Sequence, residues 1–103
     1  MLTDQMRADI EKTVKTNKVV IYMKGTQNQP MCGFSGRAVQ ILQSYGAPIK
    51  DFNILADENL RQGIKEFTNW PTLPQIFING EFIGGCDIIS EMHENGELKS
   101  LFQ

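Results

Sequence analysis

The chain has 103 residues, a formal net charge of −2 and a pI near 5.3. That length suits one domain, 1–103, with a single modest core, and 41% hydrophobic with 21% charged residues is ordinary for a soluble globular chain. The charge balance excludes a basic nucleic-acid surface and a polybasic membrane patch, and no apolar run is long enough to span a bilayer.

The N-terminal stretch "MLTDQMRADIEKTVKTN" is charged throughout and amphipathic, with Leu2, Met6, Ile10 and Val14 on one helical face. It lacks the apolar core of a secretory signal and the arginine-rich, acid-poor character of a transit peptide. A cytoplasmic bacterial protein is expected, although a mature organellar form without its leader would read the same. Thr3 or Asp4 caps this helix and Asn17 ends it. "KVVIYM" (18–23) is a β-branched run that reads as a buried strand. The loop "KGTQNQP" follows.

A second helix is predicted with Phe34, Ala38, Ile41, Leu42 and Tyr45 on one face, closed by Gly46 and Pro48. Phe34 is assigned to packing, with an outward, shielding position as the alternative. "KDFNI" (50–54) is a second strand. Asp57 caps a third helix with Leu60, Ile64 and Phe67 inward, stopped at Trp70-Pro71. "QIFI" and "EFIG" flank Asn79-Gly80, a type I′ hairpin signal. The last main helix starts near Asp87, buries Ile88, Ile89 and Met92, and ends at Gly96; "ELKSLF" forms a short terminal helix. The order predicts a parallel βαβ unit plus an antiparallel hairpin. The fold class is therefore α/β, a four-stranded mixed sheet with helices on both faces. The methionines are assigned to the core, and His93 and Trp70 to structural roles, with Trp70 also able to shape the loop it precedes.

Of the two cysteines, Cys32 lies in "PMCGFSG", where the first strand meets the second helix. The stretch resembles a Cys-x-x-Cys redox loop in which Ser35 replaces the second cysteine. A helix N-terminus favours a thiolate, and Lys24 adds positive charge. A reactive, partly exposed Cys32 is expected. Two cysteines in a chain of this size are more chemical than structural in a reducing compartment.

"CGFS" after "YMKGTQNQP", continued by "NWPTLPQIFINGEFIGGCD", resembles the monothiol glutaredoxins of the thioredoxin fold, over essentially the whole chain. The resemblance implies glutathione binding and a [2Fe–2S] cluster carried between two subunits, with Cys32 as both nucleophile and metal ligand. It implies iron–sulfur recipient proteins as partners, and BolA-type proteins that share a cluster with a glutaredoxin. The family pattern puts glutathione contacts at Lys24, Arg61, Leu73, Cys86 and Asp87; Lys65, one turn after Arg61, is added here. "TLP" resembles the cis-proline loop of that fold, which would turn the Leu73 backbone toward the ligand. "GGCD" would form an anion nest at a helix start.

Serine cannot resolve a mixed disulfide, so Cys32 needs an external thiol. A [2Fe–2S] centre takes four thiolates, which two chains and two glutathiones would supply. The alternative is a monomeric glutathione-dependent thiol-disulfide oxidoreductase that removes glutathione from mixed disulfides, with weak activity expected. A purely structural adaptor is a third reading. Cys86 admits three roles: a small residue whose backbone N–H matters, a disulfide partner of Cys32, or a direct cluster ligand.

Overall fold

The β-branched run becomes the strand on which the rest is laid. In the computed structural model, which describes residues 1–103, β1 (Val19–Met23) is buried at every position. A strand covered on both faces requires such a run. It pairs in parallel with β2 (Ile49–Asn53) and antiparallel with β3 (Gln75–Ile78), which pairs antiparallel with β4 (Glu81–Gly84). The sheet order is β2-β1-β3-β4. Asn79 and Gly80 have φ of 54° and 84°, the two positive values a type I′ turn demands.

Alternation along β1 divides the core in two. Val19, Ile21 and Met23 pack with α2 (Gly33–Gln43), α4 (Cys86–Asn95) and the short α5 (Glu97–Leu101). Val20 and Tyr22 pack with α1 (Asp4–Thr16) and α3 (Glu58–Thr68). Thr3 and Asp57 cap α1 and α3, accepting from Met6 N–H and Leu60 N–H at 3.1 Å each. Asn69, at φ 55°, ends α3 in a left-handed cap before Trp70-Pro71 is reached. No helix is long and apolar enough to cross a membrane.

The loop after β1 is an ordered clasp. Met31 N–H donates to Lys24 O at 2.9 Å, and Thr26 and Gln29 bond each other's backbone at 3.1 and 3.2 Å. Side chains of β2 hold it: Asn53 Oδ1 accepts from Gly25 N–H (2.9 Å) and Asp51 Oδ2 from Gln27 N–H (2.8 Å). Gln27 Nε2 donates in turn to Ile49 O at 2.9 Å, so the loop partly covers the edge strand. Gly25 sits at φ 91°, and a Cβ there would lie 2.5 Å from Gln29 O and 2.6 Å from Met31 N. Both neighbours are backbone and cannot swing aside. Gly25→Ala is expected to cost on the order of 1–3 kcal/mol, read as a lower urea midpoint at unchanged slope.

Candidate functional site

Cys32 is the residue that precedes α2, in extended conformation at φ −152°, ψ 138°. Its thiol is free and partly exposed. The first N–H groups of a helix have no acceptor within it. Here they face a large, soft sulfur that closes no cap bond of oxygen-like geometry. Their field still holds the Cys32 thiol below its ordinary pKa. The Ser35 N–H contributes most, against a smaller opposing effect of burial, followed by the Phe34 N–H, the Lys24 ammonium and the Ser35 hydroxyl. Ser35 is fully buried, and its Oγ also accepts from Lys24 N–H at 3.2 Å. One hydroxyl thus ties the end of β1 to the first turn of α2.

Beside the thiol opens a cleft of about 500 Å³. It gathers Lys24, Arg61, Lys65, Leu73, Cys86 and Asp87, so every ligand-contact residue expected from the sequence lies on one concavity. Cys32 is not part of the lining, but Phe34, two residues on, and Lys24, whose ammonium acts on the Cys32 sulfur, both line it. Lys24 comes from the end of β1, Arg61 and Lys65 from successive turns of α3. Leu73 precedes Pro74 across a cis peptide bond. Cys86 and Asp87 open α4, whose first backbone bond runs from Ile89 N–H to Gly85 O at 3.1 Å. The Cys86 and Asp87 N–H groups therefore lack intrahelical acceptors. Arg61 meets only Glu58, at 3.9 Å across exposed surface, a pair too weak to occupy it. The cleft holds three cations, one carboxylate and a helix start: a receptor for an anion that also carries a cationic group.

Several assignments need correction. Phe34 is 62% exposed rather than packed. The buried stripe of α2 runs Ser35, Ala38, Val39, Ile41, Leu42, which leaves position 34 at its margin, over the cleft. The methionines are not all core: Met23 is buried, but Met31 is 63% exposed beside Cys32. Ile88 is only partly buried and lines the cleft. Trp70 stacks edge-on against Phe82 at 5.9 Å and forms part of the cleft wall. Its signal was its place just before the Pro-containing loop. His93 keeps its structural assignment: it is exposed, shares a 2.7 Å hydrogen bond between its Nδ1 and the Tyr45 hydroxyl, and lines none of the cleft. Cys86 is buried. The chain has no group of three or more His, Cys, Asp or Glu side chains placed to hold a metal ion.

The glutaredoxin family model matches residues 19–83. A relative from Synechocystis sp., described as "Uncharacterized monothiol glutaredoxin ycf64-like", is 48% identical over 102 residues, covering 99% of this chain and 95% of the relative. The chloroplastic monothiol glutaredoxin-S14 of Arabidopsis thaliana is 55% identical over 98 residues, covering 95% of this chain and 57% of the relative. The solution structure of reduced poplar apo GrxS14 superposes with a TM-score of 0.82 at 52% identity, over 92% of this chain and 87% of that one.

Ser35→Ala removes the hydroxyl but keeps the more influential N–H. The Cys32 pKa is expected to rise part of the way toward its ordinary value, because one group favouring the charged form is lost. Iodoacetamide alkylation of Cys32 as a function of pH reads this as a midpoint moved upward; an unmoved midpoint rules out the hydroxyl's contribution.

Proposed function

The chain belongs to the monothiol branch of the glutaredoxin family, and from that premise we propose that it binds glutathione beside Cys32 and carries a [2Fe–2S] cluster between two copies of itself. The observation that carries this reading is a partly exposed, thiolate-favouring Cys32 whose neighbours Lys24 and Phe34 line a cationic cleft. Glutathione has two carboxylates, one ammonium and a peptide-like middle. Lys24, Arg61 and Lys65 suit the carboxylates, with the N–H groups at the start of α4 as a further anion site. Asp87 suits the ammonium, and the Leu73 backbone can pair with the cysteinyl unit as an added strand would. The ligand's thiol then lies next to Cys32.

The cluster is cargo, and its ligand count sets the assembly. Four thiolates are needed, and the chain offers one accessible sulfur. Two chains and two glutathiones complete the set around a two-fold axis. Met31 and Phe34, 63% and 62% exposed, flank Cys32 and supply the apolar rim that a second chain would cover. Half the ligands are exchangeable small molecules, which suits delivery to iron–sulfur recipient proteins. A BolA-type protein could replace one of the two chains. Cys86, buried in the cleft floor, serves through its backbone in this reading. A reducing compartment, such as the bacterial cytoplasm, supplies the glutathione and keeps both cysteines free.

The same thiolate supports a second, slower activity. Cys32 attacks the glutathione sulfur of a mixed disulfide, forming a Cys32–glutathione disulfide and releasing the substrate thiolate. A second glutathione thiolate then releases oxidised glutathione and restores Cys32.

Reconstitution without oxygen, with iron, sulfide and glutathione, is expected to give a coloured dimer, and Cys32→Ser a colourless monomer. A colourless wild type, or fast deglutathionylation by a chain that never takes up iron, would overturn the carrier assignment. Arg61→Ala, which loses a charge-assisted hydrogen bond, should weaken glutathione binding roughly tenfold or more by calorimetry.

A further inference from the structure

Gln75 opens β3 opposite Tyr22, and its side chain is fully buried. A buried amide is costly unless its polar atoms are paired, and here both ends are. Nε2 donates to Trp70 O at 2.9 Å and to Thr72 O at 3.2 Å. Oε1 accepts from the Thr68 hydroxyl at 2.8 Å. The two carbonyls fix which end of the amide faces the loop, because only its nitrogen donates.

These bonds reach a loop that has almost no others. Pro71 and Pro74 have no N–H, and the N–H groups of Thr72 and Leu73 donate to nothing in the chain. From Pro71 to Pro74 the only hydrogen bond is the one Thr72 O accepts from Gln75. All four residues line the cationic cleft, whereas Gln75 does not. The other end of the amide reaches α3. The Thr68 hydroxyl also lies 3.0 Å from Ile64 O and accepts from Trp70 N–H at 3.2 Å. The same helix presents Arg61 and Lys65 to the cleft. One buried amide thus ties the helix that carries the cations to the loop that carries the Leu73 backbone.

We infer that Gln75 is a positioning residue for the cleft's ligand, holding the Leu73 backbone in register with Arg61 and Lys65 without touching the ligand itself. The role rests on the glutathione reading. Its physical basis is entropy: a loop left loose must be ordered when a ligand pairs with it, and that ordering weakens binding.

Gln75→Met keeps length and apolar fit but removes both donors. Calorimetry is expected to show glutathione bound about tenfold more weakly, at a temperature where circular dichroism shows the variant folded. Gln75→Glu keeps the shape and the Thr68 bond, but a carboxylate has no proton to give Trp70 O or Thr72 O. Burial raises the pKa of such a group, so lowering the pH from about 8 to about 5.5 supplies that proton. The affinity of this variant, taken as a ratio to wild type at each pH, is expected to recover on that descent. A residue that only stabilises the fold would lower the melting temperature and leave Kd unmoved, which would overturn the role, as would a ratio unchanged by pH. The wild type tests the bonding without any substitution. Its Gln75 side-chain amide protons should exchange at least about tenfold more slowly than those of the exposed Gln40 and Gln43, and should shift as glutathione is added; equal exchange would overturn the inference. A wild type that binds no glutathione overturns the reading beneath it. A wild type that binds, beside a Gln75→Met that binds equally, overturns the positioning role alone.

Discussion

The unsatisfied N–H groups at the first turn of α2, meeting the sulfur of Cys32, are the contact on which the rest depends. A helix start favours negative charge, and a cysteine placed there becomes a thiolate more readily than one elsewhere. That placement needs a rigid approach. β1 is buried throughout and cannot shift against its neighbours without opening both halves of the core. The clasp from Lys24 to Met31 is held by Asn53 and Asp51 of β2. The reactive sulfur is thus mounted between a buried strand and a hydrogen-bonded clasp, while Met31 and Phe34 beside it are exposed.

Around that sulfur the charges are divided by place. The cleft next to Cys32 gathers Lys24, Arg61 and Lys65, while a second cleft, between α1 and the start of α3, carries Asp9 and Asp57. The net charge of −2 conceals this division, because opposite patches cancel in the sum. α3 contributes to both: its cap, Asp57, faces one cleft and its next two turns present Arg61 and Lys65 to the other. Opposite charges are therefore presented on separate surfaces of one small sheet.

Much of this was legible in the sequence. Periodicity located the helices, since Ile10 with Val14, and Ala38 with Leu42, are spaced for a single face. The β-branched run and Asn79-Gly80 marked the strands and their turn. The cationic cleft was legible only through motifs, because Lys24, Arg61, Leu73 and Asp87 come from four separate elements and no local pattern joins them. What escaped was orientation at element ends. Phe34 sits four residues before the buried Ala38 yet points outward, since the first turn of a helix has no neighbour to cover all its sides. Met31 escaped because loop residues carry no period. Gln27, whose side chain reaches the backbone of β2, carries no local signal within a polar loop. The second cleft had no signal at all: Asp9, Tyr22 and Asp57 come to line one concavity only when α1, β1 and α3 are packed together.

Ser35 shows why the missing second cysteine is more than an absence. The residue is fully buried, and its hydroxyl accepts from the Lys24 N–H while favouring the charged Cys32 sulfur. A thiol in its place would be bulkier and a poorer acceptor. It would leave the Lys24 amide weakly paired at the junction that aims Cys32, and buried polar groups tolerate that badly. Serine therefore trades an internal resolving thiol for a firmer seat under the external one. The consequence follows from stoichiometry: a sulfur so held, with no second thiol in its own loop, must find its next sulfur on another molecule.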